Sequence, residues 1–408
     1  MKKRKQKTKK KNNFIFLFYL LIFVITLLIY KPIKSPTSTT NGGKIIELDK
    51  NKKQEEFDFL VDFLKNDYPY LSINEKSSST NIDDIISKHK NSILNSKSDI
   101  EYEKELKNFL EDFNQDNLFL INSKDYFKYK KYLEGKPDSP WSLILNDEEV
   151  LARYSEYKDT SEDVSSDSGI SMDILEENKI AYVKIPDFNP LAVEKDNELL
   201  NDFIKNLQDY PYLIIDIRDN KGLSIEYVFK NIINPLSHTT LNMNSIVLEK
   251  NDKYSEFLNY YNKYDYISVS SKLLKSNKLK NTDISSDKLE TFKLYKEYSI
   301  KILENKDRTF NGEIYILQNS NTENAADFLS QFSNITNFAN TVGQYTSGNG
   351  VNLNNSFIKL PYSNFVISTP TGMGINEEGS ANTEYGTYPE IAVDENSNSL
   401  DTLKEMLN

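Results

Sequence analysis

Two short, strongly apolar segments, each followed by a helical pattern, constrain the fold of this chain more than any other feature. Leu213 to Ile217 and Gly312 to Leu317 are typical of strands that are buried in a parallel sheet. Helices are expected after them, from Glu226 to Ile233 and from about Asn324 to Phe332. This alternation predicts a largely parallel sheet with right-handed crossovers, so the fold class is α/β.

The remaining segments of the expected α/β domain, residues 176–408, are interpreted from local pattern and composition. Ile180 to Ile185 predicts a further strand, and Asn197 to Gln208 predicts a helix with one apolar side. Residues 250–305 are rich in Lys and Tyr and predict a helical insertion. Before the domain, the Ser- and Asp-rich residues 155–175 predict a flexible acidic loop, a linker or both.

Residues 54–154 are expected to form a helical subdomain. A first helix is predicted to begin near Gln54, since apolar residues recur there at i, i+3, i+4 and i+7. The preceding residues 31–53 begin with Pro, Ser, Thr and Gly, which bury little surface, and predict a polar linker.

The N-terminus has the pattern of a membrane anchor. Residues 1–13 form a basic tail, with eight Lys or Arg between positions 2 and 11. Phe14 to Tyr30 is a run of 17 residues without charge, which is long enough to cross a bilayer as a helix. The basic flank predicts a cytoplasmic N-terminus and an extracytoplasmic body at the cell membrane. A cleaved signal peptide is the alternative, although Tyr30-Lys31-Pro32 lacks the small residues of a cleavage site.

Charge and composition exclude several classes of partner and cofactor. The formal charge is −11, and without the eight basic residues of the tail it is −11 − 8 = −19. Such an acidic body argues against nucleic acid as a partner. The chain has no Cys and two His, so neither disulfides nor a metal site is expected, and no glycine-rich phosphate loop or other cofactor motif is present.

Six segments of the chain occur in an order and at spacings that resemble a known family. They are Asn178 to Asn189, Leu213 to Gly222, Gly312 to Asp327, Val342 to Gly350, Leu360-Pro361 and Glu384 to Ile391. Together they resemble the tail-specific, or C-terminal-processing, serine peptidases. The resemblance implies a crotonase- and Clp-peptidase-like core and a peptide or protein ligand.

The resemblance also identifies catalytic positions, and at three of them this chain has asparagine. Asn324 occupies the position of the nucleophilic serine, and Asn349 that of the lysine base. Asn117 is the best match to a histidine that another branch of the family uses, and Glu384 matches an acidic position. A carboxamide is not an acyl-transfer nucleophile, and it accepts no proton near neutral pH.

Substrate-binding backbone groups are implied at Gly222, Leu223 and Ala325. A glycine after a buried strand lets a backbone N–H approach a substrate carbonyl as part of an oxyanion hole, and Leu223 replaces the second glycine of the motif. The competing interpretations are structural. Gly222 could serve a turn that needs a positive φ, and Asn324 could be a helix N-cap that forms a box with Asp327.

Three hypotheses for function follow. The first is a membrane-anchored, catalytically degenerate family member that binds peptides or proteins. The second is an active serine peptidase that uses other groups, for which Ser320 and Thr322 are the candidate nucleophiles. The third is a surface domain unrelated to peptides. The two histidines, His89 and His238, are both interpreted as surface residues.

The anchor makes a topological prediction. If residues 14–30 span the membrane with the basic tail inside, residues 45–408 lie outside the cytoplasm. Protease added to intact cells with a permeable wall should then digest the body, as followed by immunoblot with a cytoplasmic protein as the control. Protection of the body while lysed cells are digested would contradict the prediction.

Overall fold

The computed structural model describes residues 47–72, 75, 81–113, 117–155, 166–274, 289–351, 355–375, 381 and 386–408. The expected basic tail and anchor, together with most of the expected linker, lie outside these residues. Within the ranges described, no helix combines the length and the apolar character that crossing a membrane requires.

The described residues form helices and strands in alternation. The helices are α1 (Lys50–Asn66), α2 (Ile82–Asn95), α3 (Asp99–Glu111), α4 (Ser123–Leu133), α5 (Pro140–Leu145), α6 (Glu148–Ser155), α7 (Val193–Ile204), α8 (Ile225–Val228), α9 (Asn234–Leu236), α10 (Ser255–Asn259), α11 (Ala325–Thr336) and α12 (Ser399–Leu407). The strands are β1 (Phe119–Leu120), β2 (Ser171–Glu176), β3 (Ile180–Lys184), β4 (Tyr212–Asp216), β5 (Leu241–Glu249), β6 (Ile267–Leu273), β7 (Leu294–Ile302), β8 (Glu313–Gln318), β9 (Asn340–Gly343), β10 (Asn355–Lys359), β11 (Val366–Pro370), β12 (Met373–Ile375) and β13 (Ile391–Ala392).

A six-stranded sheet in the order β13-β9-β8-β4-β3-β2 forms the centre of the fold. Its neighbouring strands are parallel, apart from the antiparallel pair β2 and β3. The predicted parallel sheet of an α/β fold is therefore confirmed. Strands β4 and β8 are neighbours, so the loops that follow them leave the same edge of the sheet side by side.

Both faces of this sheet are buried, which explains the apolar character of its strands. In β4, Leu213 and Ile215 pack in the core that includes α7 and α11, whereas Ile214 packs on the opposite face with Leu403 of α12. Strand β8 alternates in the same way. Because water contacts neither face, these strands lack the polar alternation of a half-exposed sheet.

Two antiparallel sheets complete the β-structure, in the orders β12-β5-β7-β6 and β1-β11-β10. The prediction of a helical insertion at residues 250–305 is wrong, because β6 and β7 lie there with the short α10 and a 3-10 turn at Tyr260–Lys263. Burial along β7 largely alternates, as in a strand with one face covered, and Lys296 is buried beside Glu249 (Nζ to Oε2, 3.5 Å).

Three other element boundaries differ from the sequence prediction. Helix α1 begins at Lys50 instead of near Gln54, because the Asp49 carboxylate accepts the first free N–H groups of the helix. The end of the expected loop 155–175 is strand β2, which pairs with β3, and residues 156–165 lie outside the described part of the chain. Helix α7 begins four residues before the expected Asn197.

The N-terminal helices share a core with the two antiparallel sheets. Apolar residues of α1 to α6 pack with residues of β5, β7, β10, β11 and β12. Glu56 of α1 is fully buried within this contact. Its carboxylate accepts hydrogen bonds from the Tyr102 hydroxyl (2.9 Å) and from the N–H groups of Tyr362 and Ser363 (both 2.7 Å). Glu56 therefore links α1 and α3 to the turn before β11.

Replacing this buried carboxylate should weaken the whole fold. Glu56→Gln turns one acceptor oxygen into a donor that faces other donors, and we expect a loss of about 2 to 4 kcal/mol in the free energy of unfolding. Denaturant titration followed by circular dichroism measures the change. The neighbouring Glu55→Gln is the matched control, since Glu55 is exposed and bonds only the Tyr362 hydroxyl. Equal unfolding midpoints for the two variants would contradict the assigned role.

Candidate functional site

Two loops at the carboxyl ends of β4 and β8 build the site, and hydrogen bonds join them along their length. We call residues 217–224 the β4 loop and residues 319–324 the β8 loop. The Glu323 N–H donates to Asn220 O (2.9 Å), and the Ala325 N–H donates to Gly222 O (3.0 Å). The buried Thr322 hydroxyl donates to Ile217 O (3.2 Å). The loops therefore form one framework.

Asp219 fastens the tips of the two loops. Its Oδ1 accepts hydrogen bonds from the side-chain amides of Asn319 and Asn321, both at 2.9 Å. These hydrogen bonds hold the pKa of Asp219 below its ordinary value. Asp219 has a φ of 65°, a conformation that Asn and Asp adopt more readily than other non-glycine residues.

Asn324 lies at the N-terminus of α11 in a backbone conformation that is rare for a residue with a side chain (φ 57°, ψ −120°). Its N–H donates to Gly348 O (3.1 Å), and its side-chain amide donates to Lys221 O (3.2 Å). The interpretation of Asn324 as a side-chain cap is wrong, because its amide makes no capping hydrogen bond to the helix.

The expected partner in that cap, Asp327, has another role. It is fully buried and accepts hydrogen bonds from the hydroxyls of Thr346 and Thr387 (both 2.5 Å) and from the Gly350 N–H (2.7 Å). These bonds tie α11 to residues 346–350 and to the chain before β13. Asp327 thereby fixes the segment that carries Asn349.

The structure brings the two other asparagines of the predicted site together. Asn117 donates to Asn349 Oδ1 (3.3 Å), and Asn349 donates to Glu323 Oε1 (2.8 Å). Glu323 also lies 3.4 Å from the ammonium of Lys221 (Nζ to Oε2). Asn117, Asn349 and Glu323 are all buried. A chain of amide and carboxylate contacts thus links Asn117 and Asn349, the positions at which the family resemblance implies a base, to the residue that precedes Asn324.

The implied oxyanion groups lie around Asn324, but two of their N–H groups are already bonded. Ala325 donates its N–H to Gly222 O within the loop framework. The Gly222 N–H donates to Asn220 Oδ1 (2.8 Å). Gly222 does not have the positive φ of the turn interpretation. Glycine is required there because a Cβ would lie 2.3 Å from the Phe188 nitrogen. The Leu223 side chain is 37% exposed beside Asn324.

The remaining candidates are not brought into a catalytic arrangement. Glu384 lies outside the described residues. Thr322 is fully buried and its hydroxyl is hydrogen-bonded, whereas Ser320 is exposed in the β8 loop. The prediction that His89 is a surface residue is wrong, since it is buried against Phe109 with Nε2 at 2.7 Å from Asp112 Oδ2. His238 is half-buried at the opposite end of the sheet, in a cleft beside the start of β4.

A cavity of about 100 Å³ opens beside Asn324 and Ala325. Eight aromatic side chains line it: Tyr129, Tyr132, Trp141, Tyr260, Tyr261, Tyr264, Phe328 and Phe357. Lys136 and Glu226 line it as an ion pair (Nζ to Oε2, 2.8 Å). Sequence reasoning missed this wall, because the two charged residues are 90 positions apart and neither belongs to a motif.

Among the described residues, no group of three or more His, Asp or Glu side chains is arranged to hold a metal ion.

The role of Asp327 can be tested by removing its charge. Asp327→Asn leaves three donors with one acceptor oxygen and adds an amide donor, so we expect a loss of about 2 to 4 kcal/mol in unfolding free energy. Denaturant titration measures it. Asp202→Asn on the exposed side of α7 is the control and should change stability by less than about 0.5 kcal/mol. Similar stabilities of both variants would refute the role.

Comparisons with solved structures agree with the fold. A presumed peptidase from Parabacteroides merdae ATCC 43184 is similar in structure, with a TM-score of 0.52 and 13% identity over 87% of this chain and 96% of that one. Mature CPAF is similar with a TM-score of 0.52 and 12% identity, over 88% of this chain and 95% of that one. Mature CPAF complexed with lactacystin gives a TM-score of 0.51 at 12% identity, over 88% and 97%. At these identities the likeness shows the fold alone.

Sequence comparison gives the family. No curated protein sequence matches the chain. The model of peptidase family S41 matches residues 179–393, which is more than half of the chain and includes β3, β4, β8, α11 and both loops of the site. The resemblance to tail-specific serine peptidases is thus confirmed, and the chain belongs to peptidase family S41.

Proposed function

We propose that this protein is a catalytically silent member of its family that binds peptide or protein segments at the site around Asn324. The observation that carries the proposal is the chain of contacts from Asn117 through Asn349 to Glu323. Amides stand at the three positions where the family resemblance implies a nucleophile and bases. The Asn117 amide donates to Asn349, Asn349 donates to Glu323, and the Asn324 amide donates to the carbonyl of Lys221. A carboxamide cannot take a proton from a nucleophile near neutral pH.

The backbone around Asn324 supports the same conclusion. An oxyanion hole needs N–H groups aimed at the position of a developing negative charge. The Ala325 N–H instead donates to the carbonyl of Gly222, and Asn324 itself donates to the carbonyl of Lys221. Stabilising an oxyanion would require these loop contacts to break first. The aromatic cavity needs no such rearrangement, since it already opens at Asn324.

The cellular setting is part of the proposal. Anchoring through residues 14–30, with the acidic body outside the cytoplasm, is supported by the basic flank and the uncharged run in the sequence. A protein held at the membrane in this way would meet peptides or proteins at the cell surface. The second candidate function is an active peptidase that uses the exposed Ser320.

The proposal predicts an inactive protein. The full chain should hydrolyse no peptide above background and should not be labelled by a fluorophosphonate, because a missing nucleophile alone costs on the order of 10⁶ in rate. Fluorogenic peptides and gel-based labelling measure this, with a known serine peptidase as the positive control. Ser320→Ala, Thr322→Ala and Asn324→Ala are the matched variants. The proposal would be overturned if the wild type hydrolysed peptides, Ser320→Ala or Thr322→Ala abolished this turnover, and Asn324→Ala left it intact.

A further inference from the structure

The cavity beside Asn324 already contains a cation supplied by the protein. The Lys136 ammonium lies 2.8 Å from Glu226 Oε2 and 3.8 Å from the centre of the Tyr132 ring. The Tyr132 hydroxyl donates to the same carboxylate oxygen (3.0 Å). An ammonium group is therefore held between a carboxylate and an aromatic face, and both attract positive charge.

Hydrogen bonds fix the backbone of Lys136, whereas its side chain can rotate out of the cavity. The Lys136 N–H donates to Leu133 O (2.8 Å), and its carbonyl accepts hydrogen bonds from the Ser139 N–H (3.1 Å) and the Ser142 hydroxyl (2.8 Å). The side chain is 25% exposed. Rotation about its side-chain bonds would carry the ammonium into water without disturbing the loop, and such rotations are fast for exposed side chains.

The cavity without Lys136 would be anionic. Lys136 and Glu226 are the two charged residues among the described residues that line it. Burial opposes ionisation of Glu226, but the hydrogen bond and charge of Lys136 hold its pKa below the ordinary value. Burial, reinforced by the charge of Glu226, raises the pKa of Tyr264 and of Tyr260, so these hydroxyls stay neutral. Removing the ammonium leaves one carboxylate within aromatic walls.

The size of the cavity is consistent with replacement of the Lys136 side chain by a side chain of a ligand. At about 100 Å³ with Lys136 in place, it is smaller than the roughly 150 Å³ that accommodates a benzene ring. Departure of the ammonium and its methylene groups would enlarge it and expose the face of Tyr132. Such a space suits a long, thin side chain with a positive end.

We propose that this cavity binds an arginine or lysine side chain of a peptide ligand, which displaces the Lys136 ammonium and pairs with Glu226. Glu226 is then the residue that determines specificity, and Lys136 is an internal competitor that lowers affinity. The inference rests on the proposed peptide-binding function. An anionic ligand side chain would gain the charge of Lys136 but would lie against Glu226 and the electron-rich aromatic faces.

The single tryptophan of the chain provides the measurement. Trp141 lines the cavity, where its Nε1 donates to Asn355 O (2.7 Å), so its fluorescence reports on what enters. The full-length protein would be titrated with acetyl-Ala-X-Ala-amide peptides in which X is arginine, citrulline, norleucine or glutamate. Citrulline has nearly the shape of arginine without its charge, so that pair isolates the charge.

We expect the arginine peptide to bind about tenfold more tightly than the citrulline peptide, which corresponds to about 1.4 kcal/mol in binding free energy. The guanidinium charge gains a partly desolvated carboxylate and a cation–π contact that citrulline cannot make. Lys136→Met should tighten arginine binding by about tenfold because the competitor is gone. Glu226→Gln should abolish the difference between arginine and citrulline. Lys131→Met and Glu134→Gln, which change exposed residues next to the loop, are the matched controls and should leave both affinities unchanged.

Several results would overturn the inference. One such result is equal binding of the arginine and citrulline peptides by the wild type. Another is tighter binding of the norleucine or glutamate peptide than of the arginine peptide. A third is weaker binding of the arginine peptide by Lys136→Met than by the wild type. Norleucine binding without an arginine preference would leave the proposed peptide-binding function standing and refute only the charge selection. If no peptide altered the Trp141 signal up to millimolar concentration, the peptide-binding function itself would fail.

Discussion

Backbone hydrogen bonds between the β4 loop and the β8 loop are the interaction on which the site depends. Because β4 and β8 are parallel neighbours, their loops meet, and the bonds from Glu323 to Asn220 and from Ala325 to Gly222 fix the turn into α11. A residue held at positive φ costs on the order of 1 to 3 kcal/mol, so the surrounding contacts must hold Asn324 in place. In the second of these bonds the Ala325 N–H donates to Gly222 O, so this N–H is not free to donate to an oxyanion. The contacts that define the site therefore reduce the capacity of the site to stabilise an oxyanion.

The sequence predicted the central sheet well because burial on both faces leaves a strong local signal. Strands β3, β4 and β8 are apolar runs since helices or cores cover each side. The antiparallel strands β6 and β7 gave no such signal. Strand β7 has a partly exposed face with Lys and Glu, and one of its lysines, Lys296, is buried with its ammonium 3.5 Å from the Glu249 carboxylate. That pairing depends on β5, which is distant in sequence, so composition alone suggested a helix.

The candidate site likewise has a part that the sequence predicted and a part that it did not. The positions of Asn324, Asn349 and Gly222 could be found because each lies in a short motif whose order along the chain is fixed by the fold. The contact of Asn117 with Asn349 joins residues 232 positions apart, and the pair of Lys136 with Glu226 joins residues 90 apart. No local pattern records such contacts, since each joins the N-terminal part of the chain to a residue of the peptidase-like domain that is distant in sequence. The sequence therefore did not predict that the charges of Lys136 and Glu226 lie together in the cavity.

Glu323 bears on the proposed loss of activity in addition to the asparagines at positions 324 and 349. Its buried carboxylate accepts the Asn349 amide at 2.8 Å, and it lies next to position 324 in the chain. A lysine at position 349 would meet this carboxylate, which favours the charged ammonium and so raises the pKa of the lysine. A general base must be deprotonated to act, so such a lysine would be a poor base near neutral pH. Restoring serine and lysine at 324 and 349 would thus leave a protonated lysine and an occupied Ala325 N–H. The proposed absence of catalysis therefore rests on the surroundings of the two asparagines as well as on the asparagines themselves.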